Sequence, residues 1–117
     1  MDEKLVILYK DDCISALKEL RLKRERSRHL LKDSVSNSTK VAKNEILPLL
    51  CEYYVSLHAY MIMIKGFVAS GNFVSHGKKK VLHVSGEEAE IIKALQTVIT
   101  ACEDYLNQRY NMSLSVH

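Results

Sequence analysis

Apolar residues in the first third of the chain recur at steps of three and four, which is the spacing of one face of a helix. These positions are Val6, Tyr9, Cys13, Ala16, Leu17 and Leu20. The pattern predicts a long first helix from about Glu3 to Lys32. An alternative is a short strand over Leu5 to Tyr9, with Asp11 or Asp12 capping a helix that begins there.

The segment 33–39 is rich in serine and asparagine, whose side chains compete for backbone hydrogen bonds, and it is therefore expected to be a connection. A second helix should begin near Asn37 or Ser38 and extend to about residue 69. Pro48 lacks an amide hydrogen and crowds the preceding turn. We therefore expect this helix to be interrupted near Pro48, either by a kink or by the start of a separate helix.

The part of the second helix after Pro48 is apolar on nearly all sides and should end near Gly66 or Gly71. Its apolar positions are Leu50, Tyr53, Tyr54, Leu57, Tyr60, Met61, Ile62, Ile64 and Phe67. A helix without a wide polar face belongs in the centre of a structure. Two other helices cannot easily surround it in a chain of 117 residues, so a homo-oligomer is expected. The predicted interface residues are Tyr54, Leu57, Met61 and Ile64.

Neither a membrane span nor a secretory signal is expected. Glu52, His58 and Lys65 interrupt the apolar stretch from Ile46 to Ala69, which leaves no charge-free run near the roughly 20 residues that cross a bilayer. The first apolar run, Leu5 to Tyr9, is too short for a signal sequence. A cytoplasmic or nuclear location follows as an expectation.

The last third begins with a glycine- and lysine-rich segment at 70–85, which predicts a small hairpin or a loop. Ser85 and Glu88 then form a capping-box spacing, which marks the start of a helix. An apolar stripe continues through Ile91, Ala94, Leu95, Val98, Cys102, Tyr105 and Leu106. A third helix is therefore predicted from Gly86 to about Tyr110, followed by a tail at 111–117.

Together these elements predict an all-α fold, an antiparallel bundle of three to four helices with a small basic hairpin or loop before the last helix. The length fits a single helical domain spanning 1–117, and one proline with four glycines leaves little material for a many-stranded sheet. Cys13, Cys51 and Cys102 are far apart and form no Cys-x-x-Cys pair. Neither a disulfide framework, a metal site nor a cofactor is expected.

Candidate chemistry is concentrated in the basic segment from Lys18 to Lys32, which holds seven Lys or Arg against two Glu. On a helix, one stripe collects Lys18, Arg21, Arg24, Arg28 and Lys32. Guanidinium groups in a row suit bidentate contacts with phosphates. A second positive cluster, Lys78, Lys79 and Lys80, follows in the glycine-rich segment.

Two structural interpretations of this segment compete with anion binding. The basic face can be a solvated helix surface supported by Glu–Arg pairs. It can also pair with the acidic third helix of a neighbouring copy, which carries Glu87, Glu88, Glu90, Glu103 and Asp104.

Arg24 and His29 form an Arg-x4-His spacing. This spacing resembles the motif of the HEPN ribonucleases, helical domains that dimerise to join two such motifs, and the resemblance covers only these two residues. It implies a small metal-independent ribonuclease in which His29 is the general base and Arg24 stabilises the phosphorane-like charge.

The leading hypothesis is a non-enzymatic, oligomeric protein that binds an anionic partner, above all nucleic acid, through the basic helix stripe and the lysine segment. An acidic protein surface is an alternative partner. The second hypothesis is a structural or adaptor subunit that uses the apolar second helix as its interface. The ribonuclease implied by Arg24 and His29 is the third.

Overall fold

The computed structural model describes residues 5–36 and 40–110, and side chains within 5–32 and 46–108. The elements in chain order are β1 (Leu5–Tyr9), α1 (Lys10–Ser36), α2 (Lys40–Ser70), β2 (Val74–His76), β3 (Lys79–Ser85) and α3 (Gly86–Tyr110). The predicted helix start near Asn37 or Ser38 and the predicted tail at 111–117 lie outside the described residues.

The all-α prediction is wrong, because three strands form an antiparallel sheet in the order β1-β3-β2. Strand β1 pairs along its whole length with β3, from Leu5 opposite Ser85 to Tyr9 opposite Val81. The first helix therefore begins at Lys10 and not near Glu3, and the strand of the alternative is confirmed. Asp11 and Asp12 lie within the first turn of α1 and do not precede the helix as caps. The helix also continues to Ser36, so residues 33–36 of the predicted connection are helical. A five-residue apolar run fits either period, and its pairing partner lies more than 70 residues away in sequence.

The lysine-rich segment folds as a β-hairpin with a two-residue turn, so the hairpin alternative for 70–85 is confirmed. His76 pairs with Lys79, and Gly77 and Lys78 form the turn between them. Gly77 has a φ of 65°, the left-handed backbone that the primed hairpin turns require at this position. Three lysines thus lie at the turn and the start of β3.

Helix α2 is continuous from Lys40 to Ser70 with Pro48 inside it, so the predicted alternative of a separate helix that begins near Pro48 is wrong. A proline removes one helical hydrogen bond, and packing of the flanking residues Ile46 and Leu50 in the core holds the helix together across that turn. The helix ends at Ser70, and Gly71 follows with a φ of 68°, as expected for a glycine that terminates a helix. Helix α3 spans Gly86–Tyr110, as predicted.

Most of the described buried apolar residues form two clusters. The larger lies between the three helices and consists of Leu20, Ile46, Leu50, Tyr53, Leu57, Met61, Ile99, Cys102 and Leu106. The smaller lies where the sheet meets α2 and α3, and its fully buried members are Val84, Ala89 and Ile92. Tyr60 packs against both clusters and joins the helical end of the molecule to the sheet end.

Candidate anion-binding surface

The predicted basic stripe lies on one side of α1. We define it as Lys18, Arg21, Arg24, Arg28 and Lys32, which fall within a sector of about 120° around the helix axis. All of these side chains are exposed except Arg24, which is half-buried. Lys10 falls in the same sector and is half-buried. It extends the stripe toward the start of the helix, although the sequence interpretation did not include it.

Arg24 lies at the boundary between α1 and α2, where it contacts an imidazole ring. Its Nη1 is 2.9 Å from Nδ1 of His58. A guanidinium can only donate, so Nδ1 accepts and the ring proton of a neutral His58 lies on Nε2. The buried hydroxyl of Ser27 donates to the carbonyl of Arg24 at 2.8 Å, which fixes this turn of the helix.

His58 also stacks on Tyr54, four residues earlier on the same face of α2. The two ring centroids are 6.5 Å apart and the planes differ by 2°. Tyr54 is half-buried and His58 is exposed. The fold therefore places a pair of parallel rings beside the basic stripe. The spacing of Tyr54 and His58 is local to α2, but sequence reasoning missed their position beside the stripe, because that position depends on how α1 and α2 align.

Among the described residues, the carboxylate of Glu25 lies next to the stripe and pairs with Arg28. Arg28 donates from Nε to Glu25 Oε1 at 3.1 Å and also from Nη2. This hydrogen bond lowers the pKa of Glu25 and raises the pKa of Arg28. Lys18 and Arg21 form no ion pair with any of the described residues.

The hairpin lysines, Lys78 to Lys80, are exposed at the other end of the molecule from Arg28. Lys79 Nζ lies 5.1 Å from the ring centroid of Tyr9, immediately before α1. Along α1, Lys18 is about 13 Å and Arg28 about 28 Å beyond Tyr9. The structure therefore places the hairpin cluster at the start of α1 and does not bring it together with Arg24 and Arg28.

One basic residue of the segment from Lys18 to Lys32 is directed toward another helix of its own chain and not toward solvent. Lys23 Nζ lies 2.8 Å from Glu103 Oε2, and Tyr53 Oη donates to the same oxygen at 2.6 Å. We call Lys23, Tyr53 and Glu103 the polar tie, since it joins one side chain from each helix. Burial and the bond to Glu103 raise the pKa of Tyr53.

The predicted interface on α2 is placed mainly inside the chain. Leu57, Met61 and Ile64 are buried, with exposed fractions of 0%, 6% and 1%. Tyr54, the fourth, packs against His58. The outward face of α2 carries other residues, of which Val55 and Ile62 are 64% and 55% exposed. An apolar pattern on all sides of a helix does not show which side faces its own chain.

The Arg-x4-His pair is divided between two sides of α1. Five residues place Arg24 and His29 about 140° apart around the helix. His29 Nε2 lies 3.7 Å from Glu25 Oε1 and the side chain is 66% exposed, whereas Arg24 contacts His58. The described residues also contain no cluster of three or more side chains suited to holding a metal ion.

Comparisons with known proteins give no relative. No protein-family model, curated protein or solved structure matches the chain.

Among the described helices, Ile46–Ser70 is long and apolar enough to cross a bilayer by length and composition, a test that core helices of soluble proteins also pass. In this fold that segment supplies Leu50, Tyr53 and Leu57 to the core.

Proposed function

We propose that the protein is a non-enzymatic factor that binds nucleic acid through the basic stripe of α1. The observation that carries the proposal is the row of exposed cations in one sector of the helix, of which Lys18 and Arg21 have no ion-pair partner among the described residues. Lysine and arginine side chains that neutralise phosphates release condensed counterions, which supplies much of the affinity for nucleic acid.

The dimensions of the stripe fit a polyphosphate better than a single anion. Lys18 and Lys32 are fourteen residues apart, or about 21 Å along the helix. This length corresponds to about six nucleotides of one duplex strand at 3.4 Å each. A single phosphate would reach only one or two of these side chains.

The rings of Tyr54 and His58 support the same proposal. Nucleic-acid-binding surfaces combine cations that follow the backbone with ring faces on which bases stack. His58 is exposed and is held by Arg24, so its ring orientation is fixed before a ligand arrives. The rings thus offer a stacking platform next to the phosphate contacts.

The test uses two charge reversals that change the net charge equally. Arg21→Glu removes a cation from the stripe, and Lys93→Glu removes an exposed cation from α3. The probes are a labelled mixed-sequence single-stranded oligonucleotide and its duplex, and binding is measured by fluorescence anisotropy over a range of salt concentrations. Arg21→Glu should weaken binding and lower the slope of log K against log salt by about one for each phosphate that the variant no longer neutralises.

Lys93→Glu should leave both the affinity and the salt slope close to those of the wild type. Equal weakening in the two variants would show that binding follows net charge and not the stripe, and the proposal would fail. Binding by the wild type that does not depend on salt would also contradict it. The two probes separate single-strand binding, which the rings favour, from duplex binding.

A second candidate is a structural or adaptor subunit that associates through the outward face of α2. Val55 and Ile62 are large, apolar, more than half exposed and two turns apart on this face. Ile62→Glu should lower the light-scattering mass of any oligomer while the monomer stays folded. If the mass is unchanged, this face is not the interface.

A further inference from the structure

Part of strand β3 is paired with another strand on one side only. Strand β1 pairs with it from Val81 to Ser85, whereas β2 pairs only from Lys79 to Val81. Among the described residues, the stretch from Leu82 to Ser85 therefore has an open edge opposite β1. In an antiparallel strand, successive residues direct their backbone groups to alternate sides, so about half of the N–H and C=O groups in this stretch point away from β1.

A groove of about 490 Å³ lies beside this stretch of β3. Its other wall is the last part of α2, which contributes Ile62, Met63, Gly66 and Phe67. Leu82 and Val84 add to this apolar surface, and both Met63 and Phe67 also pack against the smaller core cluster. The groove thus combines a strand edge with an apolar helical wall.

We propose that this groove binds an extended segment of a partner protein, which adds as a strand to β3 at Leu82–Ser85. Unpaired strand edges bind extended peptides through main-chain hydrogen bonds, and pockets for alternate side chains give specificity. A peptide backbone is the ligand that matches a row of open N–H and C=O groups. One apolar side chain of the segment would occupy the space beside Phe67.

The charge of the groove indicates which residues a bound segment should carry. Glu88 is the only acidic residue among the described residues that line it, and the groove contains no Lys or Arg. A segment with an apolar residue and a nearby Lys or Arg is therefore favoured over an acidic one. This site is separate from the basic stripe and does not depend on nucleic-acid binding.

Gly66 allows the groove to be filled without disturbing the core. It is an exposed helical residue, and a Cβ added there would meet no atom within 4 Å. Gly66→Leu places a side chain in the groove and also replaces a poor helix former with a good one. The matched control is Ala94→Leu, at an exposed position of α3 away from the groove. Circular dichroism and the melting temperature verify that both variants fold.

The experiment selects peptides from a phage-displayed random heptapeptide library on the wild-type protein and measures each recovered peptide by calorimetry. Peptides should bind the wild type and Ala94→Leu equally and show no measurable binding to Gly66→Leu. Amide hydrogen exchange at Leu82–Ser85 should slow when peptide is added. Absence of binders to the wild type, or equal binding to Gly66→Leu, would overturn the proposal.

Backbone N-methylation separates strand addition from simple filling of an apolar pocket. In a strand, only every second amide of the peptide faces β3. N-methylation of those amides should weaken binding roughly tenfold or more, as expected when about two backbone hydrogen bonds are removed. The same change at the alternate amides should have little effect. Peptides that tolerate both patterns would show that no strand is added.

Discussion

The helical end and the sheet end of the molecule differ in how much they bury. The cluster between the three helices has nine buried residues, whereas the smaller cluster has three, one of which is an alanine. Cys13, Ile64 and Val81 are buried outside both clusters. The outer face of the sheet leaves Leu5, Ile7 and Val74 about half exposed. This difference indicates that the helical end supplies most of the stability, while the sheet end has open surface available for partners.

The two ends also differ in their polar groups. At the helical end, Lys23, Tyr53 and Glu103 are joined by short contacts inside the bundle. At the sheet end, the edge of β3 from Leu82 to Ser85 has no second strand among the described residues. The helical end thus has a partly buried group of paired polar side chains, whereas the sheet end has a stretch of strand edge without a partner strand.

The largest expected effect is a reduction of packing at the helical end. Leu57 is completely buried, and Leu57→Ala should lower the free energy of unfolding by about 3 kcal/mol. Val84→Ala at the sheet end removes less apolar volume and should cost about half as much, roughly 1.5 kcal/mol. Urea denaturation followed by circular dichroism measures both. Equal effects of the two substitutions would contradict the concentration of stability in the helical end.

The sequence could predict the elements whose signals are local, and it could not predict the element that depends on a distant partner. Helix α3 and the Gly71 end of α2 were predicted from local signals, namely the capping-box spacing of Ser85 and Glu88 and a glycine that can adopt positive φ. These signals are complete within a few residues, and the predictions from them are confirmed. Strand β1 depends on β3, more than 70 residues later, and a local pattern does not contain that information.

The candidate site divides in a similar way. The basic stripe could be predicted because residues three and four apart share a helix face. The contact of Arg24 with His58 and the inward role of Lys23 could not, since both depend on which face of α1 meets the other helices. For the same reason, an apolar pattern on all sides of α2 did not separate the buried Leu57 from the exposed Val55.

A smaller effect should follow from removing one hydroxyl of the polar tie. Tyr53→Phe keeps the packed ring and removes the hydrogen bond to Glu103, so the free energy of unfolding should fall by about 1 to 2 kcal/mol. Gln96 donates to the hydroxyl of Tyr60 at 2.9 Å, and both side chains of that pair are less buried than Tyr53. Tyr60→Phe is therefore the matched control. A destabilisation by Tyr60→Phe as large as that by Tyr53→Phe would show that the polar tie has no special role.

The smallest expected effect is a change in the pH dependence of stability at alkaline pH. Burial, with carboxylates of Glu52 and Glu103 nearby, raises the pKa of Cys102 to about 11. Burial and Asp12 also raise the pKa of Cys13, near the sheet end. A raised pKa in the folded state means that the unfolded thiol ionises first, near 9. The stability contribution is therefore complete below that pH and falls as the pH rises toward the folded pKa.

Denaturation between about pH 8 and pH 9 measures this slope while most tyrosines, with an ordinary pKa near 10, are still neutral. Cys102→Ala and Cys13→Ala should each make the decline shallower, because each removes a thiol that ionises at a lower pH in the unfolded chain than in the folded chain. Both thiols are buried, and Cys102→Ala should have the larger effect because two carboxylates oppose the thiolate of Cys102, whereas one, that of Asp12, opposes the thiolate of Cys13. Cys51→Ala, at an exposed thiol, is the matched control. If Cys13→Ala flattened the decline more than Cys102→Ala, the carboxylates of Glu52 and Glu103 would not be what opposes ionisation at the helical end.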